Sequence, residues 1–132
     1  MVSICKRMDP EADRVWTAIQ EMYAAFLEGD RDAIDHHLSP DATIWDSEHV
    51  PLVRGRAELD ALRDARPADG SAPTRLDAVD PVIDVFGDVA LVRHVLVAGF
   101  ADGSEQRIRN TSAWRLHDGR WLCVHNHEDV VS

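Results

Sequence analysis

The sequence is poor in several things at once. It holds two cysteines, Cys5 and Cys123, far apart and in no metal-ligand or redox spacing, which predicts free thiols rather than a disulfide framework or a zinc site. It has no cluster of basic residues: 14 lysines and arginines stand against 24 acids, a formal net charge of -10. A field of that sign repels phosphate backbones and anionic lipid heads, so neither nucleic acid nor a membrane is an expected partner. No apolar run approaches the roughly 20 residues of a bilayer span, and no secretory h-region follows Met1, so the expected location is cytoplasmic. Glycine-rich phosphate loops, nucleophile elbows and a cysteine nucleophile pairing are also missing, which argues against nucleotide binding and covalent hydrolase chemistry.

What is there fits one domain over residues 9–132 after an N-terminal tail of residues 1–8. Asp9-Pro10-Glu11 is a helix start: an N-cap acid, a proline whose missing N–H costs nothing in the first turn, and an acid at the positive end of the dipole. Ala12, Val15, Trp16, Ile19, Met22, Tyr23, Phe26 and Leu27 then recur at spacings of three and four, and Gly29 ends the helix. Asp30 caps a short second helix through Ile34 and Leu38, closed by Ser39-Pro40, and Ala42 to Asp46 is a brief β-type run. A third helix spans about Arg56 to Arg66, and Pro67 to Pro73 is a loop.

From Thr74 onward the residues become β-branched and alternating, with Gly87-Asp88, Asp102-Gly103 and Asp118-Gly119 as tight-turn pairs. Four successive antiparallel strands are predicted at about 74–86, 88–100, 104–117 and 120–128. The expected fold class is α+β: helices over one face of a curled antiparallel sheet. Both alternating sets of the last strand begin apolar, Leu122 and Val124 against Trp121 and Cys123, so the second sheet face needs a cover. A homodimer packed through the sheet face is the expected cover. The acidity lies in the helical part: residues 1–87 carry 18 acids and 9 bases, and the last three strands are almost neutral.

Several stretches resemble the nuclear transport factor 2-like superfamily, in particular its SnoaL-like members, the association domain of calcium/calmodulin-dependent protein kinase II, and ketosteroid isomerase-like proteins. They are Phe26 to Asp30, Pro40 to Asp46, Arg54-Gly55-Arg56, Val85 to Asp88, and the final run from Thr111 to His127 with its W-x(3)-DG-[RK]-W-x(3)-H-x-H pattern. The resemblance implies a cone in which a curved sheet wraps the long first helix around a mostly apolar ligand pocket. It implies a small organic ligand, no cofactor, and either cofactor-free isomerase, cyclase or dehydratase chemistry or a non-catalytic binding or oligomerisation role.

It also implies positions. Asp46 falls where the steroid isomerases place their base, and a carboxylate at the lip of an apolar pocket loses hydration and becomes a better proton acceptor. The bland alternative is an acid capping the turn after the strand. The gapless register puts Met22 and Ser112 where those enzymes keep a tyrosine and a protonated aspartic acid, with Tyr23 one position along. Aligned on the family, the concave strand faces hold Arg93, Val95 and Val97; then Asn110, Ser112 and Trp114; then Val124, Asn126 and Glu128. Asp46, Tyr23 and Arg93 are thus the candidate catalytic residues, and Ser112, Trp114, Asn126 and Asn110 the candidate substrate contacts. Alternatives remain for Arg93 as an internal ion pair with Asp46 or Glu128, and for Trp114 as simple core. The opposite face would hold His94, Arg109, Thr111, His125 and His127. His125-x-His127 has the form of a metal pair, but His94 two strands away is near 10 Å off, and no metal is expected. A one-residue slip would exchange the faces and make Arg109, Thr111, His125 and His127 the pocket.

Overall fold

A computed structural model of the chain describes residues 9–66 and 70–132. The expected tail, Cys5 and the middle of the loop after the third helix lie outside those residues.

Helix α1 runs Pro10–Glu28 and is fixed at both ends by its sequence. The Asp9 carboxylate accepts the Glu11 N–H at 2.7 Å, and Gly29 closes the helix at φ 70, a left-handed conformation that suits a residue without Cβ. Its inner face buries Ala12, Val15, Ala18, Ile19 and Ala25. Helix α2 is Arg31–Asp35, shorter than the spacing predicts, because strand β1 begins at Leu38 and runs to Trp45, through Ser39-Pro40. Strand β2, Val53–Arg54, leads into helix α3, Gly55–Ala65. Asp35 forms an ion pair with Arg63, its Oδ2 accepting the Nη1–H at 3.1 Å, and so ties α3 to α2.

Strands β3 (Arg75–Phe86), β4 (Val89–Gly99), β5 (Glu105–His117) and β6 (Arg120–Val130) form the antiparallel meander. Asp118 (φ 50) and Gly119 (φ 77) turn β5 into β6 with both central residues left-handed, the geometry that matches strand twist in a two-residue hairpin. The six-stranded sheet has the order β2-β1-β6-β5-β4-β3, and β1 joins β6 in parallel. Irregularities curve it. In β3 the ladder shifts between Val79 and Val82, where Asp80 (φ 56) and Pro81 lie opposite the single residue His94. A second shift leaves Val124 unpaired between Cys123 and His125. Extra residues of this kind bend a strand and increase its twist, which lets the sheet wrap α1.

The main core joins Val15, Ala18 and Ile19 of α1 to Leu38, Ala42, Ala90, Val92, Trp114, Trp121 and Cys123, and a smaller cluster of Leu96, Ala98 and Ile108 sits further along β4 and β5. Among the described residues no helix is long and apolar enough to cross a membrane.

Candidate functional site

Pairing decides which residues share a face, because directly opposed residues of antiparallel strands point the same way. Val92 opposes Ser112, His94 opposes Asn110 and Ala90 opposes Trp114; across the next seam Ser112 opposes Asn126 and Asn110 opposes Glu128. The concave face therefore carries His94, Asn110, Ser112, Trp114, Asn126 and Glu128. Arg93 does not join them. It opposes Thr111 on the outer face and bonds Asp84 at 2.6 Å, so the ion pair considered for it forms with neither Asp46 nor Glu128. The family-aligned register is one residue off along β4, and on β6 Cys123 rather than Val124 stands opposite Trp114 on the concave face, with Val124 in the bulge. On β4 the physical reason is cost: a neutral imidazole can be buried with one hydrogen bond, whereas a guanidinium needs a full charge partner.

His94 is 5% exposed and Asn110 3%. The His94 Nε2 and the Tyr23 hydroxyl share a hydrogen bond of 2.8 Å, and the imidazole is flanked edge-on by Trp16 and Tyr23. Burial pushes the imidazole down to about 4, so it is neutral at pH 7. Burial, then the nearby Glu128 carboxylate, raises Tyr23, which stays a phenol. His94 Nδ1 and Asn110 Oδ1 are buried without a hydrogen-bond partner, on directly opposed positions of one face. Ser112 and Trp114 instead satisfy each other, the indole Nε1–H donating to Ser112 Oγ at 2.9 Å; Trp114, 1% exposed, is core.

Glu128 lies at the far side of this cluster. Burial raises its carboxyl above the usual range, the Asp46 charge adds to that, and the Asn126 side-chain amide, donating at 3.4 Å, and Arg66 oppose it. Asp46 stands just past the end of β1. Its Oδ2 accepts the Glu48 N–H at 2.9 Å, closing the turn, and an Arg66 guanidinium N–H at 2.6 Å. The turn-capping role is thus present, and the charge partner is Arg66, a residue the sequence reading did not single out.

The outer face holds Arg109, Thr111 and His127, which line an open depression of about 290 Å³ with Asp129. Arg109 donates to Asp129 from two nitrogens. His125 Nδ1 shares a 2.7 Å hydrogen bond with Thr43 Oγ1, and Trp45 leans on His127. His94 faces the other way, so the three histidines do not share a face. Among the described residues no three His, Cys, Asp or Glu side chains gather as a metal site. A second open groove, of about 570 Å³, runs between α1 and β3 and has Tyr23 in its wall.

Residues 19–124 match the model of the SnoaL-like domain. The chain belongs to that family. The S. rosetta CaMKII hub is 27% identical over 95% of this chain and 99% of its own, with a TM-score of 0.78. The association domain of C. elegans CaMKII is 19% identical (90% of this chain, 95% of that one, TM-score 0.75). A candidate ketosteroid isomerase from Parabacteroides distasonis is 17% identical (98% and 95%, TM-score 0.76). No curated protein matches the chain. SnoaL-like and nuclear transport factor 2-like architecture is therefore common to isomerase-like and association domains, and the site residues must discriminate between them.

The histidine and the carboxyl at the heart of this SnoaL-like domain were the hardest to assign from sequence. His94 alternates with Val92 and Leu96, but Arg93 alternates equally with Leu91 and Val95, so the pattern does not place either one inside. Glu128 falls in the concave set by strand alternation, but nothing in the sequence distinguishes it from a solvated strand-end acid.

Proposed function

We propose that this SnoaL-like protein binds a small organic molecule bearing a hydroxyl group, which donates to Asn110 Oδ1 and accepts from the His94 Nδ1–H in the concave core. The observation that carries this is the pair of buried, unpartnered atoms His94 Nδ1 and Asn110 Oδ1 on facing strand positions. A buried polar atom left without a partner costs about 1–3 kcal/mol, a cost worth retaining where a ligand supplies the missing bond. Asn110→Leu tests it. The variant should be about 1 kcal/mol more stable than wild type in urea, and should lose the amide shifts that 2-naphthalenemethanol produces around β4 and β5 in a nuclear magnetic resonance titration. A destabilised variant that still binds the alcohol would contradict the assignment.

Isomerase, cyclase or dehydratase chemistry on a ligand that also carries a carbonyl would fall to Asp46 as base, with Ser112, Asn126 and Tyr23 orienting that carbonyl. The Arg66 bond and the turn cap share Asp46 Oδ2 and hold the carboxylate in its turn, which leaves Oδ1 for the proton. Turnover that is abolished in Asp46→Asn and follows one titration in wild type would support the enzyme reading.

Assembly is the second function supported, by the 27% identity to a CaMKII hub over nearly both chains. The outer sheet face leaves Val82 and Phe86 54% and 64% exposed, beside Val89, apolar surface that a second copy would cover. Phe86→Glu should shift sedimentation from homodimer to monomer; a monomeric wild type at micromolar concentration would remove this role.

A further inference from the structure

The groove between α1 and β3 lies beside the concave core and opens to the surface. Gln20, Tyr23, Ala24 and Leu27 form one wall, and Leu76, Asp77, Ala78 and Val79 the other. Its 570 Å³ lies within the roughly 300–1,000 Å³ of small-ligand sites. Tyr23 connects it to the interior: the ring packs against both core clusters, and the hydroxyl reaches His94 at 2.8 Å. The unpartnered atoms of His94 and Asn110 therefore stand behind the same side chain that lines the groove.

We infer that this groove seats the apolar body of the ligand, that its polar head passes Tyr23 to reach His94 and Asn110, and that the site selects uncharged over anionic molecules. The inference rests on the binding role proposed for the concave core. The selectivity follows from the charges within reach. The one ionised residue in the groove wall is Asp77, bound to Arg75 at 2.8 Å, and Arg75 also holds Glu105, so the trio is acidic overall. Deeper in, His94 is uncharged because its burial holds it down to about 4, and it cannot pair with an anion at pH 7. Arg66, on the far side, already holds Asp46. Among the described residues an anion entering past Tyr23 would lose its hydration and meet no free cation, whereas a neutral alcohol needs only to donate to Asn110 Oδ1 and accept from His94 Nδ1–H.

Two probes of matched shape separate these claims: 2-naphthalenemethanol, neutral, and 2-naphthoate, an anion at pH 7. Titrations followed by amide shifts use the full chain, wild type and the variants Ala24→Trp and Leu27→Glu, both at exposed positions of α1 where folding is not at stake. The alcohol should bind wild type at least about tenfold more tightly than naphthoate, and each variant should weaken it by about tenfold with an unchanged thermal midpoint. Equal affinity for the two probes overturns the selectivity. If both variants bind the alcohol like wild type while Asn110→Leu does not, the groove assignment falls and the pocket stands. An alcohol that fails to bind wild type removes the pocket itself, and the groove inference with it.

Discussion

Acidification should unfold this protein partly through one side chain. The His94 imidazole titrates near 4 when folded against an ordinary 6.5 when exposed. As pH falls past 6.5 the unfolded chain takes up a proton that the native state refuses until about 4. The contribution of His94 to stability is therefore complete above 6.5 and lost as pH drops towards 4. At about 1.4 kcal/mol per pH decade, the loss comes to about 3 kcal/mol. Other groups act in the same window. Glu128, whose folded value is raised, works in the opposite sense, because the native state takes up its proton first and gains stability as pH falls. His37, lowered by burial, works in the same sense as His94. Wild type alone would show only the balance, so the comparison is with His94→Gln, which removes one titration and leaves the others. Urea unfolding at intervals from pH 7 to pH 4 should give a wild-type curve that falls more steeply than the variant's, the gap growing by about 3 kcal/mol. Direct titration of the wild-type imidazole by nuclear magnetic resonance covers the case in which the variant does not fold. A gap that stays flat over this range, or an imidazole that titrates above 6, would refute the account of His94 as a buried neutral base.

Three further outcomes follow from named contacts. Tyr23→Phe removes the partner of His94 Nε2 and should cost about 1–3 kcal/mol in urea unfolding, since a buried acceptor or donor is left without a bond; no loss would mean that water replaces the hydroxyl. Gly55→Ala places a Cβ 3.3 Å from the Pro40 carbonyl oxygen at φ 77 and should lower stability by about 1–3 kcal/mol, whereas Gly87→Ala, with open space around it, should cost less, as paired melting curves would show. Trp114→Ala empties the centre of the core and should cost about 3–5 kcal/mol by chemical denaturation.

The fold was largely legible because its signals are local. Asp9-Pro10 and Gly29 bracket α1, and Gly87, Asp118-Gly119 and Gly103 sit at the turns where their backbone freedom is used. β1 was underestimated because Pro40 reads as a stop, whereas the ladder with β6 absorbs it in a stretch where the register breaks. The site was less legible because it depends on register. In β4 both alternating sets are apolar, Val89, Leu91, Val95 and Val97 against Ala90, Val92, Leu96 and Ala98, so hydrophobicity does not choose between them. Only the relative cost of burying Arg93 or His94 does, and that comparison outweighs an alignment on distant relatives. Arg66 and Glu128 meet Asp46 through tertiary placement, for which no spacing rule exists.

Strand β3 ends the sheet on one side, and its ladder breaks at Asp80-Pro81, one residue left-handed and the next without an N–H. On the other side β2 is two residues long. Neither margin offers the long, regular row of backbone donors and acceptors that another chain could extend. Among the described residues both margins of the sheet disfavour strand addition, which leaves the open outer face as the part of the sheet that a second copy could use. A contact of that kind closes on itself when it is symmetric, and it ends in a finite particle rather than a fibre.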